Sequence, residues 1–285
     1  MQRHVVRQPA VAGAFYPDSR DGLLALVNEC FAGRMGPGTT PVALDTQAKQ
    51  TMGLISPHAG YEYSGPCAAH GFARASRAGV YQTAVVIGPN HRGWGAPVAL
   101  HPPGEFITPL GSVVVDEEST LSIVSSCACC ALDEAAHRAE HSVEVQLPFL
   151  QRVWGGSVPK LVAIVMSEQR VDVALKLGKA IAEAFRDQPV LLVASTDFTH
   201  YRPKAFAEKQ DKFALTKILA LDPVGLMEEV TRRSISMCGS GAVAAVMEAG
   251  RRLGCEKAEL ANYVTSGDVT GDQSNVVAYA SVVIR

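Results

Sequence analysis

A chain of 285 residues with 47% apolar and 19% charged side chains has the composition of a globular protein with a sizeable core. Its formal net charge of −2, with no block of like charges, argues against a nucleic-acid or anionic-membrane partner. No apolar stretch reaches the roughly 18–20 residues of a membrane span, and the N-terminus lacks a signal-peptide apolar core, so a cytoplasmic protein is expected.

In chain order, a Gly/Pro-rich loop over residues 34–47 precedes a first buried strand, "MGLIS" at 52–56. A helical pattern over 65–79 leads to a second strand at 83–88. "FITPLGSVVVDEES" (106–119) predicts a small hairpin or edge strand around its Pro-Leu-Gly turn. Helical patterns over 116–138 and 142–154 come before the third strand at 160–166. A helix over 170–187 links it to the fourth strand at 189–195. Helices over 205–221 and 241–254 follow, then a fifth apolar run at 274–284. Strand and helix alternate, which predicts an α/β protein whose mostly parallel sheet carries helices on both faces. With no internal repeat or linker, one domain over 1–285 is expected.

Seven cysteines in a chain of this size do not suggest a disulfide framework. Cys127, Cys129 and Cys130 form a "CACC" cluster within the helix expected over 116–138. It lacks a second pair at zinc-finger spacing and reads as small-residue packing.

Three strands end alike. The first runs into "SPH" at His58, the second into "GPNH" at His91, and the fourth into "STDFTH" at Asp197 and His200. Ligands of open α/β sheets bind at the carboxyl ends of the strands, so parallel strands would bring these histidines to one edge. His4, His70, His101 and His137 lack that context and read as structural or surface residues. Cys238 stands just before the Gly-Ser-Gly turn of an Ala-rich helix, where it is either a thiolate favoured by the helix N-terminus or a small buried cysteine at a turn that could itself bind an anion. In "EHSVEVQLPFLQ", His141 and Glu144 lie three apart and would share a helix face as a pocket wall or an exposed helix start.

"ISPHAGYEYSG", "IGPNHRG", "TPLGSVVVD", "EHSVEVQLPFLQ", "STDFTHY" and "YVTSGDVTGD", in this order, resemble the Memo family, whose prokaryotic members are called AmmeMemoRadiSam system protein B. The resemblance implies a three-layer sandwich like that of the LigB-type class III extradiol dioxygenases, which hold non-haem Fe(II) with two histidines and a carboxylate. It implies His58 and His91 as metal ligands, with Cys238 where the dioxygenases have glutamate. His200 falls at the acid/base position, with catalytic Asp197 beside it. His141 and Glu144 would supply the pocket or the groups behind the ligands. It further implies a small-molecule substrate and association with radical SAM and AMMECR-type proteins.

A thiolate in place of the carboxylate keeps the metal open: Fe(II) leads, while copper and zinc also suit such a set. The leading expectation is a metal-dependent redox enzyme or oxygenase with a small, aromatic-type substrate. A zinc-type hydrolase, a non-catalytic metal-binding or interaction protein and a Cys238 nucleophile are the alternatives.

Overall fold

The computed structural model describes residues 4–42 and 44–285. Strand β1 (Val5–Arg7) and helix α1 (Arg20–Ala32) precede β2 (Met52–Ser56), α2 (Tyr61–Ala75) and β3 (Thr83–Pro89). Next come β4 (Val98–Leu100), β5 (Gly104–Thr108), β6 (Gly111–Val114), α3 (Glu117–Ser126) and β7 (Cys130–Leu132). Helix α4 (Leu147–Trp154), β8 (Lys160–Met166), α5 (Val171–Ala184) and β9 (Leu191–Ser195) follow. The chain continues with β10 (His200–Arg202), α6 (Lys204–Leu219), α7 (Pro223–Arg233) and α8 (Ser240–Arg252). It ends with β11 (Ala258–Thr265), α9 (Ser266–Thr270) and β12 (Val276–Ile284).

The large sheet has the order β10-β12-β2-β9-β3-β8-β4-β7, with β11 also on β12. Its centre, β2-β9-β3-β8, is parallel, as the strand–helix alternation requires. Antiparallel strands extend it on both sides: β12 pairs with β2, and β4 with β8. The apolar run of β12 announces a buried strand but not its direction, because periodicity is the same read either way. The predicted hairpin forms from β5 and β6, with Thr108 opposite Gly111, and joins β1 in a separate small sheet.

Side-chain alternation builds the layers. Val85, Ile87, Val162, Ile164 and Leu192 pack on one face with residues of α5 and α8. Ala84, Val86, Leu161, Ala163 and Val193 pack on the other with α1, α2 and α4. The result is a three-layer α/β/α sandwich. Gly178 of α5 lets α8 approach closely, since a Cβ there would lie 2.6 Å from the carbonyl oxygen of Ala245.

The helix expected over 116–138 stops at Ser126. Cys127 is already extended at φ −126°, ψ 99°, and Cys130 begins β7 beside β4. Serine and cysteine are weak helix formers, so the "SSCACC" run yields to sheet pairing. His141 precedes the helical turns in the expected 142–154 segment, which begins as a 3-10 turn at Glu144. The 34–47 loop has no helix or strand among its described residues, and position 43 lies outside them. No helix among the described residues is long and apolar enough to cross a membrane.

One buried carboxyl fastens the chain after β9. Asp211 of α6 accepts from the N–H (3.1 Å) and hydroxyl (2.6 Å) of Thr199 and from the Tyr263 hydroxyl (2.7 Å). Burial outweighs these bonds and pushes its pKa up to about 6, against about 4 in an unfolded chain. The folded state therefore holds this proton more tightly. Its stabilising contribution is complete below about pH 4 and is lost as pH rises through about 6. Denaturant titrations across that window should show the fall for the native protein and a flatter profile for Asp211→Asn.

Candidate metal centre

Parallel register places the strand ends together. Ser56 lies opposite Ser195, Ile87 opposite Ala194 and Pro89 opposite Met166. Each strand passes into a polar loop within two residues of its end, which carries His58, His91 and Asp197 to one edge of the sheet.

Three imidazoles meet there. His58, His91 and His141 each offer one nitrogen, and these atoms lie within 4.8 Å of one another. The ring centroids of His58 stand 5.2 Å from His91 and 5.4 Å from His141, both nearly perpendicular. His91 and His141 stack at 4.7 Å. His58 is buried, His141 is half-buried, and the His91 side chain is 33% exposed, so the group opens to solvent on the His91 side.

Hydrogen bonding selects one tautomer for all three. The Ser195 hydroxyl donates its single hydrogen to the Ser142 carbonyl at 2.5 Å. Its oxygen accepts from the Gln146 amide at 2.8 Å, an amide also bound to the Pro57 carbonyl, which can only accept. His58 Nδ1, 3.0 Å from the same oxygen, must therefore donate. Glu140 treats the other two rings alike, with Oε1 3.0 Å from His91 Nδ1 and 3.2 Å from His141 Nδ1. A carboxylate only accepts, so both rings carry their hydrogen on Nδ1. Nε2 is then the side of each ring that a metal would take, with His58 Nε2 facing Cys238, and each ring is oriented by an outer partner in the way metal-ligating histidines are.

Electrostatics keep His58 neutral and Glu140 charged. Burial, and then the neighbouring His141 and His91, push His58 well below its ordinary value, so it stays uncharged. Burial works against charge on Glu140, but hydrogen bonds from His141 and His91 overcome it and hold the carboxyl well below the usual range. Glu140 also accepts the backbone N–H groups of His91, His141 and Ser142. Gly88 makes room for this loop, since a Cβ there would meet the Ser142 hydroxyl at 2.4 Å.

Cys238 stands beside the group. Its Sγ is 3.3 Å from His58 Nε2 and accepts the Asp197 N–H at 3.2 Å. The expected helix-terminus activation of its thiol is reversed. Gln169, not the thiol, takes the free N–H of Gly241 at the start of α8, at 2.9 Å. Burial, and then the charge of Asp197, push the thiol up to about 12. It is a protonated thiol until a cation displaces the proton.

The residues named from sequence thus divide. His58 and His91 stand in the group, as does His141, which was expected only in the pocket or behind the ligands. Cys238 adjoins through His58. His200 is half-buried, and its Nδ1 lies 2.8 Å from the Ser236 carbonyl, which can only accept, so Nδ1 carries the hydrogen of that bond. Asp197 does not orient His200; its Oδ1 takes the His58 backbone N–H at 2.8 Å and shapes that loop.

Glu144 does not line the pocket. Fully buried, it accepts from Arg7, from the Tyr16 hydroxyl and from the N–H groups of Ala10 and Val11, fastening the N-terminal segment. Glu140 and Ser195 escaped the sequence reading; the only signal was the acidic residue directly before His141. His101 and His137, expected to be structural, are buried with ring centroids 5.3 Å apart.

The donor set fits a metal ion: convergent imidazoles, outer acceptors already in place and a thiol alongside. Among the described residues no carboxylate joins the converging donor atoms; Glu140 accepts N–H groups with both oxygens, and Asp197 Oδ1 takes the His58 N–H.

A MEMO1 family protein of Methanopyrus kandleri is 43% identical over 281 residues, covering 98% of this chain and 99% of its own. A MEMO1 family protein of Thermotoga maritima is 42% identical over 280 residues, with the same coverage. An uncharacterized protein of Escherichia coli K12, known from its crystal structure, shares the fold at a TM-score of 0.54 and 12% identity. That likeness covers 83% of this chain and 100% of the other. The model of the Memo-like protein family matches residues 7–283, and the chain belongs to that family.

Proposed function

We propose that this protein is a non-haem metal-dependent oxidoreductase acting with dioxygen on a small organic substrate. One observation carries the reading: His58, His91 and His141 each offer one nitrogen within 4.8 Å of the others, while Nδ1 of each ring meets an outer partner. A redox metal such as Fe(II) or copper, when bound, supplies the one-electron chemistry that dioxygen and closed-shell organic molecules need. Cys238 tunes the choice of ion, since a sulfur donor next to imidazoles disfavours magnesium and calcium. The solvent-facing side at His91 admits substrate. His200, with Nδ1 fixed on Ser236, accepts or returns a substrate proton at Nε2. Asp197 and Ser195 hold the His58 loop and ring in place.

Protein purified without air should carry iron or copper and take up oxygen with some members of a phenol, indole and thiol panel. His58→Ala and His91→Ala should lose both metal and uptake. His200→Gln should keep the metal and lose about 10²–10⁴-fold in rate. Stoichiometric zinc with no oxygen uptake would overturn the proposal.

That outcome would favour a second reading, a zinc-type hydrolase. The donor set supports it, because three imidazoles are also the set that holds a catalytic zinc and its water. His200 would then be the base.

A further inference from the structure

Away from the histidine centre, Cys127, Cys129 and Cys130 bring their sulfur atoms within 4.8 Å of one another. The fold builds this arrangement from three different backbone settings. Cys127 closes α3 in an extended conformation, Cys130 opens β7 against Val98 of β4, and Cys129 is on the turn between them. The Cys130 N–H bonds the Cys127 carbonyl at 2.9 Å, which tightens the turn and faces the thiols inward. Cys127 Sγ and Cys129 Sγ are 2.8 Å apart. Cys127 and Cys129 line a surface cavity of about 470 Å³ together with Lys176, Lys179 and Glu183 of α5.

We propose that Cys127, Cys129 and Cys130 form a second metal site, which binds one Cu(I) ion through three thiolates. Soft sulfur donors select soft ions, chiefly Cu(I) and zinc. A structural zinc takes four ligands, and no fourth histidine, cysteine or carboxylate atom of the described residues joins this group. Three coplanar sulfurs at metal–sulfur bonds of about 2.3 Å would stand about 4 Å apart, inside the observed limit. On binding, three sulfur–copper bonds form and the three thiol protons pass to solvent, with copper entering and staying as Cu(I). The bound unit carries two negative charges; Lys176 and Lys179, paired with Asp172 and Glu183, line the same cavity.

The test is an anaerobic Cu(I) titration of the full chain against bathocuproine disulfonate. A His58→Ala/Cys238→Ala background breaks the histidine centre. This protein should still bind one Cu(I) per chain, with an X-ray absorption spectrum fitted by three sulfurs. Adding Cys127→Ser, Cys129→Ser and Cys130→Ser should abolish that binding. Because buried Cys127 bears on the core, Cys129→Ser alone is the second variant, expected to weaken Cu(I) by about tenfold or more. In the native protein, Cu(I) should shield the 127–130 peptide from alkylation. Undiminished copper in the triple variant, nitrogen-only coordination or unshielded thiols would overturn the site. Displacement of the copper by stoichiometric zinc would overturn the choice of ion.

Discussion

Glu140→Gln should weaken metal binding by about 10–100-fold while leaving every histidine of the centre in the chain. The native carboxylate accepts from both imidazoles and from the backbone N–H groups of His91, His141 and Ser142. A carboxamide keeps one accepting oxygen and turns an NH₂ toward hydrogens it cannot accept. At least one N–H is then left without a partner, a cost of about 1–3 kcal/mol in a buried setting. The His91 and His141 rings also lose the charge that holds their hydrogens on Nδ1. Competition against a chromophoric chelator reads the affinity, and thermal unfolding with and without metal reads the local cost. Equal affinity for both proteins would mean that Glu140 does not orient the rings.

Glu144→Leu should have a larger effect on stability, about 3–5 kcal/mol, because it strands a buried guanidinium. Arg7 and Glu144 are paired with side chains that are 2% and 0% exposed. Arg7 also donates to the carbonyls of His137 (3.1 Å) and Glu140 (2.5 Å), so the pair ties β1 to the segment that leads into the centre. Replacing both residues with apolar ones, as Arg7→Met/Glu144→Leu, should recover much of the loss, since no buried charge then lacks a partner. Urea titrations of the two variants give the comparison. Metal content per folded chain should change little in Glu144→Leu. A variant that keeps its stability but loses its metal would instead make Glu144 part of the centre.

The two carboxylates show how far local sequence reaches. Glu144 drew notice through its spacing from His141, and that spacing presumed a helix that His141 does not join. Glu140 has no periodic signature; it matters because its loop meets the end of β3, 49 residues earlier in sequence. The "CACC" run was misplaced on a helix for a similar reason, because pairing with β4 decided its conformation.

What the chain determined by itself was the set of central strands, their order among helices and the polar ends carrying His58, His91 and His200. Apolar periodicity and strand-end chemistry are local, so they are legible one residue after another. The tertiary structure decided the antiparallel direction of β12, the entry of His141 beside His58 and His91, the reversal of the Cys238 thiol's acidity and the outer acceptors of each ring. Those outcomes depend on which loops meet at the sheet edge and how deeply they are buried. Burial and hydrogen-bond partnership belong to the packed chain, and no single segment carries them.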